Sequence, residues 1–171
     1  MSESDIADKI IEKIKEGESN NLEFKSDLPN DHKKYLKTVV SFSNTIGGML
    51  LFGVNNNGSI AGIPDEKVFI VKDSIADSIT NSCMPQIVPE MFIVTINGLN
   101  FIVVQIVIGT NGPYYLRADG KTHGTYIRVG ATNRLADPNR IKALELRGMN
   151  MSFDGLVSIC QSRRTECEGP L

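Results

Sequence analysis

The pair Asn97-Gly98 constrains the fold more than any other part of this sequence, because it separates two strand-like segments by only two residues. A two-residue type I′ turn needs positive φ at both positions, and Asn and Gly adopt that conformation most readily. The flanking segments, 91–96 and 99–108, are rich in β-branched and aromatic residues. We therefore predict an antiparallel hairpin across residues 91–108.

Two further segments have the patterns of strands. The run Met49–Val54 contains no polar residue, which is typical of a central strand covered on both faces. Leu22 and Phe24 alternate with Glu23 and Lys25. This alternation predicts a strand whose apolar pair faces a core and whose charged pair faces away from it.

Apolar residues recur at helical spacing in four segments, which are 4–16, 31–46, 65–82 and 138–148. Asp31 and Asp137 are suitable N-cap residues for the second and fourth of these helices. The helices alternate with hairpins rather than with repeated βαβ units. We therefore predict an α+β fold, with a mixed or mainly antiparallel sheet and about four helices.

The chain of 171 residues is long enough for one core. We predict an amphipathic helix at 1–16, a single domain at 17–148 and a flexible tail at 149–171, where helical periodicity fades. No run approaches the ~18 apolar residues that a membrane span requires. We therefore expect a cytoplasmic protein without membrane contact.

The chain has three cysteines and two histidines, and none of them form close pairs. They support neither a disulfide framework nor a zinc site.

Charge is distributed unevenly along the sequence. The net charge is −2, yet residues 117–147 carry seven Lys or Arg against three Asp or Glu. If Arg128 and the loop 130–134 share a face, guanidinium and backbone N–H groups there would suit phosphate oxygens. The candidate nucleic-acid contacts are Lys25, Arg117, Lys121, Arg128, Asn133 and Arg134. The alternative is an ordinary solvated face that Asp119, Asp137 and Glu145 partly neutralise.

Glu18 and Glu23 raise the question of a metal site. The two carboxylates can converge only if residues 18–21 bend back, and they would then suit Mg²⁺ or Mn²⁺. Lys25 could bind a phosphate beside them, so Glu18, Glu23 and Lys25 are the candidate catalytic residues. The alternative is a pair of solvated surface carboxylates, which are common at strand edges.

Several motifs in fixed order resemble the Schlafen AlbA_2 domain family over roughly residues 17–148. They are Glu18-Ser-x-x-Leu-Glu-Phe-Lys25, Ser43-Asn-Thr-Ile-Gly-Gly48, Leu51-Phe-Gly-Val54, Gly58-Ser-Ile-Ala-Gly62, Gly124-x-Tyr-Ile-Arg-Val-Gly130 and Asn133-Arg134. The resemblance implies a DNA-binding module of the kind found in prokaryotic transcriptional-regulator-like proteins. Such a module needs no cofactor for binding.

Some animal Schlafen proteins use this domain as a metal-dependent endoribonuclease, and their two motif glutamates match Glu18 and Glu23. Many relatives carry aspartates in the turn after the Gly-Val strand, where this chain has Asn55, Asn56 and Asn57. An amide brings no charge, so it should bind a hard cation more weakly than a carboxylate does. We therefore favour nucleic-acid binding over catalysis, and DNA over RNA. Mg²⁺ or Mn²⁺ is expected only for a nuclease.

A third function remains open at this stage. The chain could be an oligomerisation or scaffold module that binds its partner, including a second copy of itself, through an exposed sheet face or edge.

Overall fold

A four-stranded sheet forms the centre of the molecule in this computed structural model, which describes residues 3–150. In chain order the elements are α1 (Glu3–Glu16), β1 (Leu22–Lys25), α2 (Lys33–Asn44), β2 (Gly48–Phe52), α3 (Asp65–Ser82), β3 (Cys83–Met84), β4 (Glu90–Ile96), β5 (Leu99–Ile106), β6 (Tyr115–Leu116), α4 (Gly120–Gly124), β7 (Tyr126–Val129) and β8 (Thr132–Leu135). A further helix, α5, covers residues 138–150. The central sheet has the order β1-β2-β5-β4, while β3 pairs with β6 and β7 pairs with β8.

The predicted hairpin is the β4–β5 pair. Ile96 lies opposite Leu99 in the antiparallel register, and the turn residues Asn97 and Gly98 have φ of 51° and 76°. Only β1 and β2 run parallel, whereas β2 with β5 and β4 with β5 are antiparallel. The prediction of an α+β fold with a mixed, mainly antiparallel sheet is confirmed.

Helices cover both faces of the central sheet. On one face, Ile10 and Ile14 of α1 pack with Leu22 and Phe24 of β1. On the other face, a larger cluster joins α2 and α3 to β2 and β5. Leu50 and Leu51 point to opposite faces and are both fully buried, as predicted for a central strand. Burial of each such leucine is worth about 1.5–3 kcal/mol relative to exposure.

The prediction that Glu23 and Lys25 both face away from the core is wrong for Glu23. Glu23 is only 7% exposed, because α2 and the β7–β8 hairpin cover that end of the sheet. The charged face of β1 is therefore an interior face, and its carboxylate needs partners inside the protein.

The helices differ from the prediction in number and at several boundaries. Helix α2 covers Lys33–Asn44 rather than 31–46, and α1 begins at Glu3 rather than at residue 4. The short helix α4 was not among the four predicted, because five residues are too few to show a helical period. Residues 149 and 150, predicted to begin the flexible tail, belong to α5. The rest of the predicted tail, 151–171, lies outside the described residues. No helix within residues 3–150 is long and apolar enough to cross a membrane.

Cys83 provides a direct test of the packing around α3. Its side chain is fully buried, and burial raises the pKa of its thiol to about 12. Because the thiolate is the reactive form, we expect iodoacetamide at pH 8 to alkylate Cys83 in the unfolded chain but not in the native protein. Because the pKa of the Cys83 thiol is higher in the folded than in the unfolded protein, burial of this thiol favours the folded state fully below pH ~8.5. That contribution to the free energy of unfolding is lost as the pH rises toward 12. Mass spectrometry of the peptide that contains Cys83 measures the modification. Equal rates for native and unfolded protein would contradict the packing.

Candidate functional site

A buried polar network joins β1 to α2 and to the β7–β8 hairpin. Arg128 Nη1 donates to Glu23 Oε2 at 2.7 Å, and Thr38 Oγ1 donates to the same oxygen at 2.9 Å. Asn133 accepts from Arg128 Nη1 at 2.8 Å through its Oδ1, and its Nδ2 donates to Thr38 Oγ1 at 2.8 Å. We call Glu23, Thr38, Arg128 and Asn133 the Glu23–Arg128 network.

Arg128 is the centre of this network. Its side chain is only 1% exposed, and its guanidinium carbon lies 5.2 Å from the centre of the Phe42 ring. Nη2 also donates to the backbone oxygen of Ser19 at 3.0 Å. Arg128 therefore fixes the 18–21 segment and the hairpin to α2 at the same time. Two buried charges in contact are costly to separate, because either one alone would remain desolvated and unpaired.

Glu18 closes the outer edge of β1. Its Oε1 accepts the backbone N–H of Phe24 at 2.8 Å, and the Ser19 N–H donates to the Leu22 carbonyl at 2.9 Å. The 18–21 segment thus bends back, as convergence of the two glutamates requires. The bend satisfies backbone groups of an edge strand that would otherwise be open to another chain.

The residues predicted to hold a metal ion do not fit a hard cation well. Both oxygens of Glu23 are engaged, since Oε2 accepts from Arg128 and Thr38 and Oε1 lies 2.6 Å from Lys25 Nζ. Asn57 Oδ1 accepts from the backbone and hydroxyl of Ser59. Within residues 3–150 no group of three or more His, Cys, Asp or Glu side chains could hold a metal. We derive no metal-dependent step from this arrangement.

Lysines are concentrated at the start of α2. Lys33 and Lys34 lie in its first turn and Lys37 lies one position beyond it, and no acidic residue occupies that turn. Lys33 Nζ lies 2.9 Å from the Asp119 carboxylate, and this hydrogen bond raises the pKa of Lys33 above its ordinary value. Lys37 Nζ lies 5.2 Å from the centre of the Tyr126 ring in β7. No carboxylate within residues 3–150 forms a salt bridge with Lys34 or Lys37.

Two of the predicted nucleic-acid contacts, Lys25 and Arg134, lie near β7. Lys25 is half-buried, and its salt bridge to Glu23 connects it to Arg128 of β7. Arg134 is exposed and lies opposite Ile127 on the outer face of the hairpin, because the adjacent pair of Arg128 and Asn133 faces α2. We use the name basic surface for Lys25, Lys33, Lys34, Lys37 and Arg134, a set that extends from α2 to the outer face of the hairpin. Sequence reasoning missed the three α2 lysines. The available signal was three lysines within five residues at the start of a predicted helix, where cations oppose the positive end of the helix dipole.

The remaining predicted contacts have different environments. Arg117 is exposed, and Lys121 is exposed but lies 3.0 Å from Glu145. Asn133 is half-buried and Arg128 is buried, both within the Glu23–Arg128 network. The structure therefore places Arg128 behind the surface, where it can position the hairpin but presents no guanidinium edge to a phosphate.

Comparison with known proteins gives a family match and two similar structures. The family described as "Schlafen, AlbA_2" matches residues 18–137. The DIP2311 protein from Corynebacterium diphtheriae has a TM-score of 0.53 at 17% identity, and the match covers 69% of this chain but 22% of that one. This likeness shows a shared fold, and this chain spans about a fifth of the length of that protein.

The second structure is the N-terminal domain of a RecG-related protein, named for an ATP-dependent DNA helicase, from Nitrosomonas europaea. It has a TM-score of 0.46 at 26% identity, covering 68% of this chain and 81% of that one. Among curated proteins no match was found.

Proposed function

The chain belongs to the Schlafen AlbA_2 family, and we propose that it is a nucleic-acid-binding domain, with DNA as the favoured ligand, of a transcriptional-regulator-like protein. Binding would use the basic surface to contact the sugar-phosphate backbone. Contacts of this kind hold a protein on nucleic acid without reading its sequence. The family resemblance supports a DNA-binding module, and the charge distribution supports the location.

The observation that carries the proposal is the arrangement of lysines on α2. Cations at a helix N-terminus oppose the helix dipole, and each exposed one costs about 0.3–1 kcal/mol. Lys34 and Lys37 have no carboxylate partner within residues 3–150. In a chain with a net charge of −2, such a concentration is best explained by an anionic partner.

The Glu23–Arg128 network supports this surface from beneath. It fixes Arg134 and Tyr126, through the hairpin, relative to the lysines of α2. Tyr126 is half-buried and packs on the core, so it contributes to the shape of the surface more than to stacking. A rigid arrangement loses less conformational entropy on binding than flexible lysines would.

The proposal is tested by fluorescence anisotropy with labelled duplex DNA, single-stranded DNA and RNA at ~50 and ~200 mM salt. We expect binding at the lower salt concentration that weakens steeply at the higher one. Lys37→Ala should weaken binding several-fold on every sequence tested. Lys15→Ala is the matched control, because Lys15 is an exposed lysine on α1, across the sheet from α2. No binding to any ligand at low salt, or an equal effect of both variants, would reject the proposal.

The same samples test a metal-dependent nuclease. Each binding mixture is incubated with Mn²⁺, with Mg²⁺ and with a chelator, and the labelled strands are then examined for cleavage. Because the carboxylate of Glu23 is already bonded to Arg128 and Thr38, we expect intact strands in all three. Metal-dependent cleavage that Glu23→Gln abolishes, while the folded circular dichroism spectrum is retained, would favour the nuclease instead.

A further inference from the structure

The two edges of the central sheet differ in how they are protected. At β1, the Glu18 side chain and the Ser19 N–H occupy outward-facing backbone groups of Phe24 and Leu22. At β4 no such cover exists within residues 3–150. Lys, Pro and bulges are the usual features that prevent edge pairing, and β4 (Glu90–Ile96) contains no Lys or Pro and pairs with β5 in unbroken register.

The register of the hairpin identifies which backbone groups are open. Ile96 and Leu99 flank the two-residue turn, so they exchange hydrogen bonds with each other. Alternation along the strand then directs the N–H and C=O groups of Met91, Ile93 and Thr95 away from β5. Within residues 3–150 these groups have no backbone partner.

From this open edge we propose that the chain forms a two-fold symmetric dimer by antiparallel pairing of β4 with β4 of a second copy. A two-fold axis through Ile93 places Ile93 opposite itself and Met91 opposite Thr95 of the second copy. Every outward N–H then meets an outward C=O. The two central sheets become one continuous sheet.

The side chains make this register self-complementary. On the α1 face, Phe92 comes opposite Val94 of the second copy, and aromatic with β-branched residues is a favourable cross-strand pair. Ile6, Ala7, Phe92 and Val94 line an apolar groove of about 370 Å³ beside this edge. The pairing places apolar side chains of the second copy next to that groove.

Charge also favours a second copy in this register. Glu90 is the only charged residue of β4. The two-fold pairing places it opposite Ile96 of the second copy, so the two Glu90 carboxylates lie at opposite ends of the interface. No like charges meet across the strands. A strand pair of this length forms a modest interface, and we expect a dissociation constant on the order of 10 µM.

Analytical ultracentrifugation of the full chain from ~1 µM to ~1 mM tests the proposal around that dissociation constant. We expect a monomer–dimer equilibrium, and a tenfold or greater weakening in Ile93→Lys, since lysines at an edge disfavour pairing. Val88→Lys is the matched control, because Val88 is β-branched, 74% exposed and outside β4. If Ile93→Lys does not fold, Thr95→Lys replaces it, because Thr95 is exposed. A monomer at all concentrations, or equal effects of the test and control variants, would overturn the proposal.

Amide hydrogen exchange provides an independent measurement without substitutions. In the dimer, the amides of Met91, Ile93 and Thr95 should become protected as concentration rises, while those of Phe92 and Val94 are protected throughout. The amides of Met91, Ile93 and Thr95 could instead be protected in a monomer and lose that protection when the chain is cut after residue 150. This outcome would show that the C-terminal segment pairs with β4. That result would overturn the dimer.

Discussion

Replacing Arg128 with Ala is expected to lower the free energy of unfolding by about 3–5 kcal/mol, which is a large fraction of the stability of a domain this size. The substitution removes the donor to Glu23, Asn133 and the Ser19 carbonyl at once. It leaves Glu23, 7% exposed, as a buried carboxylate whose remaining partners within residues 3–150 are Thr38 and Lys25. Urea denaturation followed by circular dichroism measures the loss.

Arg134→Ala is the matched control for this prediction. Arg134 is also an arginine of the β7–β8 hairpin, but it is exposed, so its removal should change stability by no more than about 0.5 kcal/mol.

A double variant, Glu23→Leu with Arg128→Met, should lose less stability than Arg128→Ala, because it leaves no buried charge unpaired. An Arg128→Ala protein as stable as Arg134→Ala would show that the network contributes little.

Local features of the fold were predictable from the sequence. The Asn97-Gly98 turn and the apolar run of β2 each specify their structure within a few residues, so the hairpin and the central strand were found. Helix α4 was missed because a single turn has no period to detect. The helix–strand order was also enough to exclude repeated βαβ units. Tight turns connect β4 to β5 and β7 to β8, whereas the parallel pair β1 and β2 is joined through α2.

The environment of Glu23 could not be predicted from local pattern. Glu23 and Arg128 are separated by 105 residues, and nothing near either residue indicates that they meet. The alternation in β1 gave the correct face for Glu23, but it could not show that α2 and the hairpin cover that face. The candidate site was therefore predicted in part. Lys25 and Arg134 lie on the basic surface, whereas Arg128 lies beneath it.

The α2 lysines were overlooked for a different reason. Their signal is local, but the prediction relied on net charge over the long segment 117–147. Lys33 illustrates the consequence, because its contact with Asp119 brings α2 beside the turn that contains Arg117 and leads into α4, where Lys121 lies. The tertiary fold, rather than the order of residues, determines which cations share a surface.

Removing three cations from the basic surface should have the largest effect on binding. In a variant with Lys34→Ala, Lys37→Ala and Arg134→Ala, three candidate phosphate contacts are lost while the Glu23–Arg128 network is retained. Each phosphate contact contributes about 0.9 to the slope of log affinity against log salt concentration. We therefore expect the slope to become shallower by about 2.7. Stability should change little, because none of the three side chains is buried or ion-paired within residues 3–150.

The control for this variant carries the same loss of charge elsewhere. Lys13→Ala, Lys15→Ala and Lys67→Ala remove three exposed lysines from α1 and α3. Both triple variants have the same net charge, so a general electrostatic effect would weaken them equally.

The salt dependence of nucleic-acid binding, measured side by side for the wild type and the two triple variants, tests the central claim most directly. If the basic surface binds the phosphate backbone, the slope falls by about 2.7 for the variant of Lys34, Lys37 and Arg134 and remains near the wild-type value for the control. An unchanged slope in the first variant, or equal changes in both, would contradict the account.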